Sequence, residues 1–286
     1  MQCYENSHFN FTNLFMWRKL FDIRWVVEGS HLFIRSFYND EFFMLPPIGP
    51  TGGMEDALNK LYDYQLSLNV PFTLRETESF MVEFLEKWRP GNFQYIPEIN
   101  NFDYVYLQKD LANLKGRKFH GKKNHLNKFL RTYTDYEYLP LDSSLIEKCL
   151  DTIEHWCSQK KCDEDPFLKA EKTGIIEVLN NFSKLNISGA VVLINENIEA
   201  FTFGEKLNND MAVIHVEKAN YEIEGIYAFI NKTFSETFSD VKYINREEDL
   251  GIPGLKKAKE SYHPVKMVKK YTVVEKKSFL KNTITN

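Results

Sequence analysis

The sequence predicts a mixed α+β fold built from two similar halves, each a mostly antiparallel mixed sheet flanked by helices. Three observations carry this. Along 286 residues, apolar positions switch repeatedly between helical spacing and strand alternation. One order of elements occurs twice, the first time in degraded form. Between the two runs lies a compact cationic block at 115–131, KGRKFHGKKNHLNKFLR, with seven Lys/Arg, two His and no acid. The formal charge of the chain is −4, and removing those seven cations leaves −11, a sharp asymmetry.

Residues 9–20 spell a short aromatic helix with Phe11, Leu14, Phe15, Trp17 and Leu20. Residues 24–28, 31–37 and 41–45 then alternate or cluster as strands of a meander, with turns at Gly29-Ser30 and Asn39-Asp40. The run PPIGPTGG at 46–53 breaks regular structure. Apolar positions 54, 57, 58, 61, 64 and 68 mark a helix. A strand at 70–74 follows, then a helix from 77 or 78 that stops before Arg89-Pro90-Gly91. A strand at 103–107 leads into the basic block. From Arg117 that block reads as a helix. Phe119, Leu126, Phe129, Leu130 and Tyr133 form an apolar stripe, Lys118, Lys122 and His125 a second stripe, and Arg117, Asn124, Lys128 and Arg131 a third.

In the second half, Ser143 or Ser144 caps a helix to about residue 156, and Asp165-Pro166 opens another to about 182. Strands at 187–194, 198–205 and 211–217 are joined by turns at 195–197 and 208–210, giving an antiparallel meander. Residues 221–238 form an amphipathic helix, followed by a strand at 241–244, a helix at 253–261 and a strand at 265–274. The tail at 278–286 is expected to be loose. Two helices, a three-strand meander, a helix, a strand, a helix and a strand is the order of a GNAT acyltransferase domain. The expected organisation is therefore tandem GNAT-like acyltransferase domains at 1–115 and 141–286, joined by a basic connecting helix at 116–140.

Hydrophobic content of 43% with 27% charged residues is globular composition, and 15% aromatic residues can build a sizeable core. No stretch approaches the roughly 18 apolar residues of a membrane helix. The first residues lack a positive region followed by an apolar one, so no secretory signal is expected. Cysteines at 3, 149, 157 and 162 are too few for a disulfide framework in a chain this long, and reduced thiols in the cytoplasm are expected. Cys149, His155, Cys157 and Cys162 match no zinc-ligand spacing, and no metal is expected.

The segment densest in chemistry is YINREEDLGIPGLKKAKESYHP, 243–264. It opens at a strand end, where Arg246, Glu247, Glu248 and Asp249 stand in succession. Gly251, Pro253 and Gly254 then shape a turn, and Pro253 suits the first position of a helix carrying Lys256, Lys257 and Lys259. Helix N-termini and lysines favour carboxylate or phosphate. The acids can accept a proton from an attacking amine or hydroxyl. The same pattern also fits a charged surface loop with a helix cap. Glu217 ends the third strand of the second meander, where a GNAT domain splays its strands and where an acid suits a general base; an exposed strand-end glutamate is the plain alternative. His215, on the same strand face, reads as a hydrogen-bonded structural residue. The cationic stripes suit phosphate, which binds through charge and hydrogen bonds, and equally suit a solvated helix. The expected catalytic pair is Glu217 and Glu247. The expected substrate-binding set is Arg246, Asp249, Lys256, Lys259 and Tyr262. The expected anion- or tRNA-binding set is Lys115, Arg117, Lys118, Lys122, Lys123, Asn124, Lys128 and Arg131.

Coenzyme A is disfavoured. GNAT domains hold its pyrophosphate on a basic, glycine-rich turn that opens the helix after the third strand. Here that turn is ANYEIEGIYAF, 219–229, with one glycine, Gly225, and two acids, Glu222 and Glu224. Acids there repel a pyrophosphate.

YLQKDLANLKGRKFHGKKNHLNKFLRTY (106–133) and YINREEDLGIPGLKKAKESYHPVKMVKKY (243–271) resemble signatures of a bacterial family related to the C-terminal catalytic domain of phosphatidylglycerol lysyltransferase. FTNLFMWRKLF (11–21) and FFMLPPIG (42–49) resemble its N-terminal marks, so the resemblance spans nearly the whole chain. It implies a tandem GNAT fold shared with Fem-type peptidoglycan aminoacyltransferases, which move an aminoacyl group from charged tRNA to an amine or hydroxyl. The expected donor is aminoacyl-tRNA or another polyphosphate, and the expected acceptor a small molecule, a peptide or a lipid headgroup. A non-catalytic tRNA- or nucleotide-binding protein on a GNAT scaffold is the alternative from another class, and a CoA-dependent N-acetyltransferase the third. No cofactor is assigned.

Overall fold

The computed structural model describes residues 4–160 and 162–276. Helix α1 (Phe11–Trp17) starts where the Asn10 side chain accepts from the amide of Asn13. Strands β1 (Arg24–Glu28), β2 (His31–Tyr38) and β3 (Glu41–Met44) form a meander. The β2–β3 turn places Asn39 and Asp40 at φ 50° and 60°, the geometry of a two-residue hairpin. Helix α2 (Met54–Ser67) has Glu55 and Asp56 in its first turn, where acids oppose the positive end of the helix dipole. Strand β4 (Thr73–Glu78), helix α3 (Ser79–Trp88) and strand β5 (Phe93–Pro97) complete this part.

Strand β6 (Asp103–Leu107) runs straight into helix α4 (Gln108–Asn113). A turn of 3-10 helix at Arg117–Phe119 then leads into α5 (His120–Thr132), the body of the cationic block. Strand β7 (Tyr136–Pro140) and helices α6 (Ile146–Lys160) and α7 (Pro166–Asn180) follow. The Asp165 side chain caps α7 by accepting from the amides of Phe167 and Leu168, with Pro166 at the first helical position. Strands β8 (Ser188–Ile194), β9 (Asn197–Lys206) and β10 (Met211–Ala219) form the second meander. Helix α8 (Ile226–Glu236), strand β11 (Tyr243–Asn245), helix α9 (Pro253–Glu260) and strands β12 (Lys266–Val268) and β13 (Lys270–Glu275) end the described chain. The loose tail expected at 278–286 lies outside the described residues.

The fold is α+β, with two mixed, mostly antiparallel sheets flanked by helices. The first sheet has the order β1-β2-β3-β4-β13-β5, the second β12-β6-β11-β10-β9-β8-β7. The second is packed on both faces. Phe119, Phe129, Ile230 and Phe234 of the α5 and α8 side cover one, and Cys149, Ile153, Val178 and Leu179 of α6 and α7 cover the other. Its central strands are accordingly apolar on both faces, as at Ala190–Ile194. The first sheet packs Phe33, Leu74 and Val273 against Leu58, Leu61 and Leu85 of α2 and α3.

Sheet membership cuts across the expected division at 115 and 141. Strand β6 pairs with β11 and β12 in the second sheet, while β13 enters the first between β4 and β5. The single strand expected at 265–274 is therefore two, with the chain crossing from one sheet to the other at Lys269. Within the segment expected to be a connecting helix, Tyr136–Pro140 is an edge strand paired with β8. An edge tolerates Pro140, which has no amide to give. Cys157 and Cys162 are joined in a disulfide, with Cα atoms 5.1 Å apart across the turn after α6. This corrects the expectation of reduced thiols for that pair. Cys149 is a buried free thiol, and Cys3 lies outside the described residues. Among the described residues no helix is long and apolar enough to cross a membrane.

Buried charges fasten the two sheets together. Lys270 is fully buried, and its Nζ lies 2.7 Å from Asp103 Oδ1, 3.4 Å from Glu76 Oε2 and 3.5 Å from Glu248 Oε2. Burial opposes the Lys270 charge, but the three acids overcome it and raise its pKa. His8 Nδ1 sits 2.6 Å from Glu76 Oε2, and its Nε2 is 3.6 Å from Glu248 Oε1. The amide of Ser7 and the side chain of Asn245 both donate to Asp103 Oδ2, each at 2.8 Å.

Beside this cluster, Glu78 accepts from the amides of Glu5 and Asn6 through Oε1, at 3.3 and 3.1 Å. Burial pushes its pKa from 4.5 up to about 7. An acid with a raised folded pKa contributes least stability where the unfolded chain ionises it freely. The loss grows as pH rises from 4.5 to about 7 and then stays constant. Glu78→Gln keeps Oε1 as acceptor for both amides. It should stabilise the fold at pH 8 by on the order of 1–3 kcal/mol and change little near pH 4. Urea melts at the two pH values measure the difference, and a variant less stable than wild type at pH 8 would refute it.

Candidate active site

Strands β10 and β11 run parallel but pair only over Met211–Val213 and Tyr243–Asn245. Beyond these residues they part, and a cavity of about 710 Å³ opens beside them. Residues 214–218 of β10, residues 246–248 after β11, Lys122 and His125 of α5, Lys259 of α9 and Tyr262 after it all line this cavity. Trp17 and Phe167, with ring centroids 4.9 Å apart, close another side.

Two local devices shape the wall. The register of β10 against β9 slips between Ile214 and Val216, so His215 is a bulge residue, and a bulge re-aims a side chain. Gly204 stands opposite, where a Cβ would meet Val213 O at 2.2 Å. Glu247 is the second device. Its φ of 57° reverses the chain at the strand end, a turn held by its amide donating to Asn245 Oδ1 at 2.7 Å.

These devices bring acids and bases together. His215 Nδ1 lies 2.9 Å from Glu247 Oε1, and its Nε2 lies 3.2 Å from Glu205 Oε1. Burial alone would lower the pKa of His215, but the two carboxylates outweigh it and raise it to about 9. The ring therefore carries charge at neutral pH. Glu247 Oε1 also accepts from Asn13 of α1 at 3.2 Å.

Arg246 is the centre of a second group. Its Nη2 donates to Glu217 Oε1 at 3.0 Å, and Glu217 Oε2 takes a further bond from Asn231 of α8 at 2.9 Å. The Nη1 atom is buried and has no hydrogen-bond partner among the described residues. The guanidinium lies 4.9 Å from the Tyr262 ring centroid, and Lys122 Nζ lies 4.0 Å from the same centroid. Burial first, and the neighbouring Arg246 second, lower the Lys122 pKa to about 8. Two cations thus converge on one aromatic ring at the cavity wall, an arrangement that can attract an anion.

The cavity wall thus unites Glu217, Arg246, Glu247, Lys259, Tyr262 and Lys122. Lys259 is buried, and its ammonium donates to the carbonyls of Arg246 and Glu247, so it fixes the backbone at the strand end. Burial and then Arg246 lower its pKa to about 8. Asp249 is buried away from the wall, where it accepts from the hydroxyl of Tyr104 and from the amide of Gly251. Lys256 is exposed on α9, outside the wall. Lys115, Arg117, Lys118, Lys123, Asn124, Lys128 and Arg131 are exposed on α5 and the turn before it. Lys118 pairs with Asp110 at 2.9 Å, and Lys128 pairs with Glu224. Asn13 and Asn231, which hold the two acids, escaped the sequence reading. Asn231 did leave a signal: it is a fully buried amide on the apolar face of α8, between Ile230 and Phe234.

The helix turn at 219–229 lacks the basic, glycine-rich character expected of a coenzyme A turn. That turn opens α8. Gly225 precedes α8 at φ 88°, and a Cβ on it would meet His125 O at 2.1 Å, so the backbone of α5 packs directly against this glycine. Glu222 and Glu224 flank the same turn, and their charge opposes a pyrophosphate there.

The comparisons with known proteins agree with this architecture. A family model described as phosphatidylglycerol lysyltransferase, C-terminal, matches residues 3–274. A crystal structure of a conserved protein of unknown function from Bacteroides thetaiotaomicron VPI-5482 is 38% identical, with a TM-score of 0.90, over 95% of this chain and 92% of that one. The structure of L-PGS from Bacillus licheniformis is 14% identical with a TM-score of 0.66, over 94% of this chain and 89% of that one, a likeness of fold. No curated protein matches the sequence. The chain belongs to the family of phosphatidylglycerol lysyltransferase C-terminal domains.

Proposed function

We propose that the chain transfers an aminoacyl group from charged tRNA to an amine or hydroxyl acceptor. The carrying observation is the convergence of Lys122 and Arg246 on Tyr262, in one cavity with Glu217 and Glu247. An aminoacyl ester is already activated, so the protein has to position two substrates and move one proton. The nucleophilic nitrogen or oxygen bonds to the ester carbonyl carbon. The bond from that carbon to the ribose oxygen breaks, and the proton of the nucleophile ends on the released ribose oxygen. In this scheme Arg246 Nη1 steadies the oxyanion and Glu217 positions Arg246. Glu247 takes the proton, since both of its hydrogen bonds fall on Oε1.

The exposed cations of residues 115–131 are assigned to the phosphates of the donor. A cavity of about 320 Å³ adjoins the first and shares Trp17, Phe167, Glu248 and Leu250 with it, giving the acceptor its own approach. The family name carries lysyl transfer to phosphatidylglycerol, and the hydroxyl of a lipid headgroup is one acceptor of this class.

Competition binding tests the proposal. Labelled charged tRNA is expected to bind in a salt-sensitive manner, in preference to uncharged tRNA, and CoA is expected not to compete. Glu247→Gln should keep binding and lower transfer by about 10²–10⁴-fold. Micromolar CoA binding without tRNA binding would overturn the reading.

A further inference from the structure

The first sheet ends in an unusual edge. Strand β1 has the sequence RWVVE, all five residues are exposed, and among the described residues β2 is its one neighbour. Trp25, Val26 and Val27 are 70%, 56% and 58% exposed. A long, flat, apolar edge invites pairing with another chain, and proteins normally blunt such edges with proline, lysine or shortness. The other three edges among the described residues are blunted in this way: β5 ends in Pro97, β7 in Pro140, and β12 has three residues. Strand β1, five residues long, has neither proline nor lysine, and its charges stand only at its two ends.

We infer that β1 is the seam of a homodimer, in which two copies pair antiparallel about a two-fold axis at Val26 and join their first sheets into one. The sequence of β1 is complementary to itself in this register. Arg24 faces the Glu28 of the second copy at both ends, and Val26 meets Val26. On the other face Trp25 meets Val27 twice, an aromatic with a β-branched residue, which is a favourable cross-strand pair. Centring the axis on Arg24 or Glu28 instead sets like charges opposite each other, and parallel in-register pairing does the same. The pairs that Arg24 and Glu28 make within the chain, with Asp22 at 3.0 Å and with Lys60, join side chains that are 45% exposed or more. Such pairs are worth little and do not compete with a seam. No residue of β1 lines the Arg246 cavity, so this inference stands independently of the transferase reading.

Sedimentation equilibrium of the full chain tests it. Wild type is expected to be a reversible dimer. Arg24→Glu and Glu28→Arg, each alone, set like charges opposite each other twice and should weaken the dimer about tenfold or more. The two together reverse both partners and should restore it. Val26→Lys places two ammonium groups at the axis and should leave monomer alone. Far-UV circular dichroism and melting of each variant separate lost pairing from lost folding. A wild type that stays monomeric at hundreds of micromolar overturns the inference. So does a dimer indifferent to all these changes, or a double variant as weak as the single ones.

Discussion

Arg246→Met is expected to lower aminoacyl transfer by about 10²–10³-fold and to leave charged-tRNA binding within a few-fold, the signature of a donor used in the transition state. The expectation rests on two atoms of one group. Nη2 is held by Glu217, while Nη1 has no hydrogen-bond partner among the described residues. The guanidinium is thus fixed by one arm and ready to donate with the other. Arg246→Lys should rescue little, because an ammonium is a point donor and cannot reproduce the planar fork. The ion pair is largely buried, with 13% and 11% of the two side chains exposed, so losing the arginine alone strands a carboxylate. Arg246→Met combined with Glu217→Gln removes that charge and keeps the bond from Asn231. The double variant should fold as well as wild type and still fail in transfer. Transfer within a few-fold of wild type in either variant would remove Arg246 from the chemistry.

Lys270→Met should destabilise the fold by about 3–5 kcal/mol, the range for breaking a buried charge pair from one side. Glu76, Asp103 and Glu248 would then share one site with His8 beside them and Lys259 acting on Glu248 from farther off. The wild-type contributions have defined pH limits. Burial works against the Glu76 charge, but His8 and Lys270 lower its pKa from 4.5 to about 2, so its contribution is complete above 4.5 and lost as pH falls through 2. Burial also works against the His8 charge, yet Glu76 and Glu248 raise its pKa from 6.5 to about 10. Its contribution is complete below 6.5 and lost as pH rises through 10. The damage done by Lys270→Met should therefore be largest near neutral pH and shrink toward pH 3, where the acids take up protons. Urea midpoints with unchanged slope, compared at pH 7 and pH 3, measure this. A loss below about 1 kcal/mol at pH 7 would mean that the cluster is solvated.

What the sequence disclosed follows from what side-chain pattern records. The second meander was legible because its sheet is covered on both faces, which forces long apolar strands such as 190–194. The basic helix and the Arg246-Glu247 pair were legible because charge density survives without knowledge of partners. Which sheet a strand joins was not, because alternation at 265–274 reads alike whether the neighbour is β6 or β4. The four charges at 246–249 looked like one site. The structure sends Arg246 and Glu247 to the cavity, Glu248 also to the Lys270 cluster, and Asp249 to Tyr104. The reversals at Glu247 and Leu250, with φ of 57° and 54°, do this sorting, and no strand or helix period encodes them. Tyr136–Pro140 was missed because a five-residue edge strand with a terminal proline carries almost no pattern.

The placement of β13 between β4 and β5 sets an order of events during synthesis. Val273 and Val274 are the register partners of Leu74 and Thr73, about two hundred residues earlier in the chain. A nascent chain on the ribosome holds β4 and β5 long before the strand that joins them exists. Strands β8, β9 and β10 emerge as close neighbours and can pair at once, whereas closing β13 on β4 carries the loop entropy of about two hundred residues. Glu5 pairs with Lys266, and His8 lies within reach of Lys270, so the strap near the N-terminus waits for the same late arrival. The segment at residues 5–8 and strands β12 and β13 close on each other like a clasp, after the central strands of the second sheet have emerged.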